Sequence, residues 1–199
     1  MGGVYADLDV QCLKPVDEWN AELQHDAQVL LGMENYNTKR PHPIHVTNWV
    51  LAAAPGHPLL GSMPAIVAKA TQHQFFQIMR QDGPKKQKAY EEGIIDRTGP
   101  AALSWAMYQY FKSVGQNMTG ITDEVVSSGE GFAAGGVRVL PIANMGLGWE
   151  VAEARRKGEN FTCDDVAKKV HSAYVCHMFM GSWRSDWAWR GDAALDECH

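Results

Sequence analysis

Two aspartates flank a single leucine near the start of the chain: Asp7 and Asp9 in GGVYADLDVQCLKP, directly behind a glycine pair and a short apolar run. In an extended chain, side chains two residues apart project to the same side. Such a pair can hold one hard divalent cation, or a cation and a sugar hydroxyl, through adjacent carboxylate oxygens. Mg²⁺ and Mn²⁺ commonly complete their shells with substrate phosphates, so a carboxylate pair at a strand end suits the bridging of a diphosphate. The preceding glycines, Gly2 and Gly3, let backbone and ligand approach closely. An isolated D-x-D triplet is most often two solvated side chains on a turn, so its surroundings decide.

The pattern predicts a short buried strand from Val4 to Leu8, ending at the carboxylates, with CLKP turning away from it. AQVLLG at 27–32 and HVTNWVLAAA at 45–54 read as two further strands, the last closed by Pro55-Gly56. The period then changes. Leu59, Leu60, Met63, Ile66, Val67, Ala70, Phe75, Ile78 and Met79 recur at helical intervals, with Pro64 kinking or starting the helix. Residues 82–99 read as a loop, Pro100 suits a first helical position, and 101–113 continue as helix. The glycine-rich 127–136 reads as a loop, Val137 to Leu140 as a strand stopped by Pro141, and 164–174 as helix. Strands interleaved with helices, without a repeat or long linker, indicate one α/β layered domain.

Composition narrows the partners. The 199 residues are 45% hydrophobic and 21% charged, an ordinary globular balance. A formal net charge of -5 offers no basic stripe for phosphates, which argues against nucleic acid. The densest basic stretch, GPKKQK at 83–88, reads as a solvated loop. No apolar run approaches the roughly 20 residues that span a bilayer. Cys12, Cys163, Cys176 and Cys198 lack the paired spacing of a zinc site, and stand open as buried thiols or as up to two disulfides. The sequons Asn117-Met118-Thr119 and Asn160-Phe161-Thr162 suit a secretory compartment.

The context of the aspartate pair carries a resemblance. GGVYADLDVQCLKP resembles the D-x-D segment of glycosyltransferase family 32, whose members have the Rossmann-like GT-A fold. Further blocks follow in the family's order along nearly the whole chain: TNWVLAAAPGHP at 47–58, RTGP at 97–100, VLPI at 139–142 and VCHMFMGSW at 175–183. The PGHP, VLPI and H-x3-GSW forms are most similar to the fungal initiation-specific α-1,6-mannosyltransferases. The inositol phosphorylceramide mannosyltransferases share the first block and part of the third, so transfer of mannose to inositol phosphorylceramide is the alternative, against which PGHP and GSW weigh.

The resemblance implies a metal-dependent transfer of mannose from GDP-mannose to a glycan, forming an α-linkage with retention, in the Golgi. Mn²⁺, or Mg²⁺ in its place, would be the cofactor. Asp9 and His177 would be the metal ligands. Asp7 would sit by the ribose and the metal. Gly2 and Gly3 would shape the approach to the sugar diphosphate, and Ser182 and Trp183 would close over the diphosphate and glycosidic oxygen. These groups answer a physical need, because the leaving diphosphate's developing charge must be met by a cation and hydrogen-bond donors. Asn48 and Trp49 would line the sugar pocket or serve packing; His57 reads as a turn residue. Arg97 would contact phosphate or acceptor, or stand as an exposed charge. Trp187 and Trp189 would form an acceptor platform or part of the core.

The resemblance also implies what the chain departs from. The family holds the nucleotide base mainly through a half of the fold upstream of the D-x-D, and six residues precede Asp7 here. The whole chain, residues 1–199, is thus expected to be the C-terminal portion of one GT-A-type domain, starting at the D-x-D strand and truncated at its N-terminus, and alone to bind donor nucleotide weakly, fold poorly, or both. A membrane anchor and membership of a Golgi mannosyltransferase complex would lie with the longer protein. A truncated, non-catalytic carbohydrate-binding remnant is the reading from a different class.

Overall fold

A computed structural model describes residues 2–19, 27–38, 42–78 and 97–180. Its centre is a five-stranded mixed sheet in which β3 (Val29–Tyr36) lies between β4 (Ile44–Ala53) and β6 (Val137–Leu140). β3 runs antiparallel to β4 and parallel to β6. Its opening residues, VLLGM, are all buried, as the uninterrupted apolar run requires of a strand covered on both faces. β1 (Gly3–Ala6) closes the sheet beside β4, and β5 (Phe132–Ala134) closes it beside β6.

Helices cover one face. A short turn of helix, α1 (Pro58–Gly61), leads into α2 (Met63–Ile78), and α3 (Pro100–Ser113) packs across β4. Pro64 therefore starts a helix and does not kink one, and Pro100 takes the first position of α3 as its fixed φ allows. Val29, Leu31, Met33, Ile44 and Val46 meet Leu103, Met107 and Phe111 in this main core. Tyr108 and Ser104 of α3 accept hydrogen bonds from the Ile44 and Val46 amides, both at 2.9 Å, tying helix to strand. α4 (Met118–Ser128) follows, with the Asn117 side chain as its cap.

The opposite face is smaller. Leu30, Trp49, Val50 and Leu140 pack there with Trp19, Met145, Tyr174 and Val175. Met145 belongs to a single helical turn, α5 (Ile142–Met145). It rests on Gly32 of β3, where an added Cβ would lie 2.3 Å from that of Met145. α6 (Trp149–Lys157) and α7 (Cys163–Lys169) come next, and β7 (Val175–His177), the last described element, lies beside β2 (Val10–Cys12). These two three-residue strands form a separate antiparallel ribbon. Among the described residues, no helix is long and apolar enough to cross a membrane.

Three expectations are corrected. The first strand is not buried: every residue of β1 is exposed, with Val4 at 46% and Tyr5 at 52%, because among the described residues β1 is an edge strand paired only with β4. The 127–136 stretch is not one loop. Helix α4 runs into it, Gly129 ends that helix in the left-handed region, and β5 turns to β6 through Gly135-Gly136, also left-handed. The helix expected over 164–174 stops at Lys169. Residues 79–96, including GPKKQK, together with Ser182, Trp183, Trp187, Trp189 and Cys198, lie outside the described residues.

A candidate metal centre

The carboxylate pair does not extend a strand. The Asp7 amide is still held by the Trp49 carbonyl at 2.8 Å, as if β1 continued, and the chain then turns, with the Val10 amide returning to the Asp7 carbonyl at 3.2 Å. Leu8 stands fully exposed at the tip. The turn lets β1 and β2 belong to different sheets, and it swings the Asp9 carboxylate toward β7.

There it meets His177, opposite Val10 in the ribbon. His177 Nε2 lies 3.1 Å from Asp9 Oδ1, and the Met180 amide donates to Asp9 Oδ2 at 2.9 Å. The Met178 amide donates to the Asp9 carbonyl at 2.8 Å, so the chain after His177 wraps the aspartate. Phe179 makes that wrap with φ 48, the one non-glycine residue in the left-handed region among those described. The hydrogen bond from His177 and that from the Met180 amide hold the Asp9 carboxyl below the ordinary range against an opposing effect of burial. Tyr5 donates a short hydrogen bond to Asp7 Oδ1, which pushes its own phenol up to about 12.

Aromatic rings fix the imidazole. Trp49 stacks on His177 with centroids 4.7 Å apart and planes 7° from parallel, and its indole N–H donates to the Met145 carbonyl at 3.1 Å. Phe179 meets the imidazole edge-on at 4.1 Å. Trp49 faces the smaller core by simple alternation from Ile44 and Val46, which face the main one. The β3–β4 ladder jumps from Leu31↔Leu51 to Met33↔Val46, and this irregularity turns Val50 to the same side as Trp49.

One ligand atom from each of Asp7, Asp9 and His177 lies within 4.8 Å of the others. Adjacent ligands of an octahedral ion with bonds of about 2.1 Å stand roughly 3.0 Å apart, and opposed ones roughly 4.2 Å apart. The three groups therefore fit around one small cation with minor adjustment, and two carboxylates with one imidazole suit Mn²⁺ or Mg²⁺. His177 Nδ1 is buried without a hydrogen-bond partner among the described residues. The imidazole's orientation thus rests on stacking and on Asp9.

The remaining candidates divide. Gly2 lies against the β4 terminus, where a Cβ would come 2.5 Å from the Pro55 nitrogen; Gly3 takes φ +131 with open space beside it. Asn48 bonds the Thr98 carbonyl at 3.4 Å, linking β4 to the RTGP block. His57 caps α1, its Nδ1 accepting from the Leu59 amide at 3.3 Å, while burial keeps its pKa down. Of the open cysteines, Cys163 and Cys176 form a disulfide, and Cys12 is free among the described residues. The functional reading gave Tyr5 no role. The Tyr-x-Asp-x-Asp spacing was the available signal, since residues two apart on β1 share a face.

No protein-family model matches the chain, and no solved structure does. Curated relatives do match. The chain is 26% identical over 198 residues to the initiation-specific α-1,6-mannosyltransferase of Schizosaccharomyces pombe, covering 93% of this chain and 44% of that protein. It is 28% identical over 213 residues to the protein of the same name in Candida albicans, covering 93% and 51%. The chain thus spans about half the length of these relatives. It is a relative of the fungal mannosyltransferases.

Proposed function

We propose that the chain is the part of a GT-A-type glycosyltransferase domain that runs from the D-x-D turn to the C-terminal metal ligand, and that the complete domain transfers mannose from GDP-mannose to a glycan hydroxyl. The observation that carries this reading is the meeting of Asp7, Asp9 and His177, drawn from opposite ends of a chain related to mannosyltransferases. In this reading Asp9 and His177 hold Mn²⁺, or Mg²⁺ in its place, and Asp7 faces both the ion and the nucleotide ribose. The bound ion would supply charge neutralisation for the leaving diphosphate. Gly2, Gly3 and Asn48 would line the donor side, with Ser182 and Trp183 over the diphosphate.

The chain's own residues prepare that site. Tyr5 occupies Asp7 Oδ1 and the Met180 amide Asp9 Oδ2, so Asp7 would offer Oδ2 to the ion and Asp9 would offer Oδ1, the oxygen that faces His177 Nε2. Single-oxygen binding favours a small octahedral ion over Ca²⁺, which readily takes both. Trp49 and Phe179 keep water from two sides of the imidazole. The α-1,6 linkage follows the names of these relatives, and retention of configuration and a Golgi location follow the resemblance to glycosyltransferase family 32.

The test is Mn²⁺ titration by electron paramagnetic resonance, with GDP added afterwards. Wild-type chain should bind one Mn²⁺, and Asp9→Asn should weaken binding at least 100-fold, about 2.7 kcal/mol. Equal Mn²⁺ affinity in both proteins would overturn the metal assignment. Binding of Mn²⁺ and glycan with no GDP affinity even in a longer chain would favour a carbohydrate-binding remnant over an enzyme.

A further inference from the structure

We propose that the Cys163–Cys176 disulfide is a positioning element for the candidate metal centre: it fixes from behind the strand that presents His177. The cation readout below rests on the metal reading; the imidazole readout does not. Consecutive residues of a strand face opposite ways. His177 looks forward from β7 toward Asp9 and Trp49, so Cys176 looks backward, into a small core with Val151, Cys163 and Val166. Its sulfur is bonded there to Cys163, the first residue of α7, with Cα atoms 5.7 Å apart.

β7 needs such an anchor because its own pairing is slight. The ribbon has three residue pairs, and two-stranded ribbons are marginal in water. α7 is a firm anchor for its length. Thr162 and Asp165 form a reciprocal cap at its N-terminus, and Gln11 of β2 donates to Asp164 at 2.7 Å, so the helix grips both strands. The backbone supports β7 as well: the His177 amide donates to the Leu147 carbonyl at 3.0 Å, and Gly148 lies flat against the His177 carbonyl. The disulfide adds restraint one residue from the imidazole, where loss of a ligand's supporting contact typically costs tenfold or more in metal affinity.

The experiment compares the full chain with the double variant Cys163→Ala/Cys176→Val, and with Val125→Ala. Val125 is buried in the main core and offers a loss of stability away from the site. Mn²⁺ affinity of the folded protein should fall about tenfold in the cysteine variant, and less than twofold in Val125→Ala. By NMR, the His177 ring protons should show the upfield shift of a ring stacked on Trp49 in wild type and in Val125→Ala. In the cysteine variant they should move toward free histidine. Should the double variant not fold, Cys163→Ala carries the same comparison, since it leaves a sulfur in the core-facing position of β7. Unchanged ring shifts, or equal Mn²⁺ losses in the cysteine and Val125 variants, would overturn the proposal. If wild-type Mn²⁺ binding ignores Asp9→Asn, the metal reading fails and the ring shifts alone decide.

Discussion

The five-stranded sheet and the β2–β7 ribbon are built by different physics. The sheet is held by volume: Phe111, Met107, Leu31 and Val139 are fully buried between β3, β6 and α3. The ribbon is short, with β7 buried over its three residues and β2 half-exposed. It is held by a disulfide, a helix cap, backbone bonds around Asp9 and a flat indole–imidazole stack. The sheet therefore sets how stable the molecule is, and the ribbon sets where the ligand atoms of Asp9 and His177 stand.

That division predicts separable damage. Phe111→Ala should cost about 3–5 kcal/mol in urea denaturation while leaving the Mn²⁺ affinity of the folded fraction unchanged; a matched loss of affinity would break the comparison. Trp49→Phe keeps an aromatic face on His177 but leaves the Met145 carbonyl without its donor. It should cost about 1 kcal/mol and, unlike Phe111→Ala, disturb the His177 ring shifts.

Tyr5→Phe removes a bond on an exposed edge strand, so stability should change by less than about 0.5 kcal/mol. The wild-type phenol should ionise at about 12 by ultraviolet titration, above the ordinary value of 10. Because the fold favours the neutral phenol, its contribution is whole below pH 10 and fades as the pH rises toward 12. A tyrosine set with no member near 12 would dismiss the Tyr5–Asp7 bond. The smallest effect concerns α7. Asp165 is held at about 2 by the Thr162 hydroxyl and amide and by Lys168. Its cap is intact above pH 4 and lost as the pH falls toward 2, which the Thr162 amide shift should follow; a midpoint at the ordinary 3.8 would argue against the cap.

Most of the sheet was legible because apolar runs and turn residues report strands directly. β4 begins and ends within one residue of the expected 45–54, and Pro100 marked α3. β1 was misjudged because VYADL has the same apolar character at an edge as at a centre, and local pattern does not report neighbours. α4 escaped since MTGITDEV carries a glycine and little periodicity, although Asn117 is an ordinary N-cap. α6 escaped despite Glu150 in its first turn, three basic residues in its last and Gly158 behind it. In the site, Asp7 and Asp9 announced themselves by spacing. His177 has no local spacing to any ligand, and resemblance alone singled it out. Trp49 as its stacking partner depends on the meeting of β4 with the end of β7, which residue types do not encode.

Asp9 and His177 are 168 positions apart. Closing so long a loop is entropically slow, and contacts of such span tend to form late. The β3–β4 hairpin and the helix α3 that covers it come from segments much nearer in sequence, so this contact is expected to form after them. During synthesis the C-terminal residues emerge last, and a nascent chain would hold its aspartates for most of that time without the histidine that completes them.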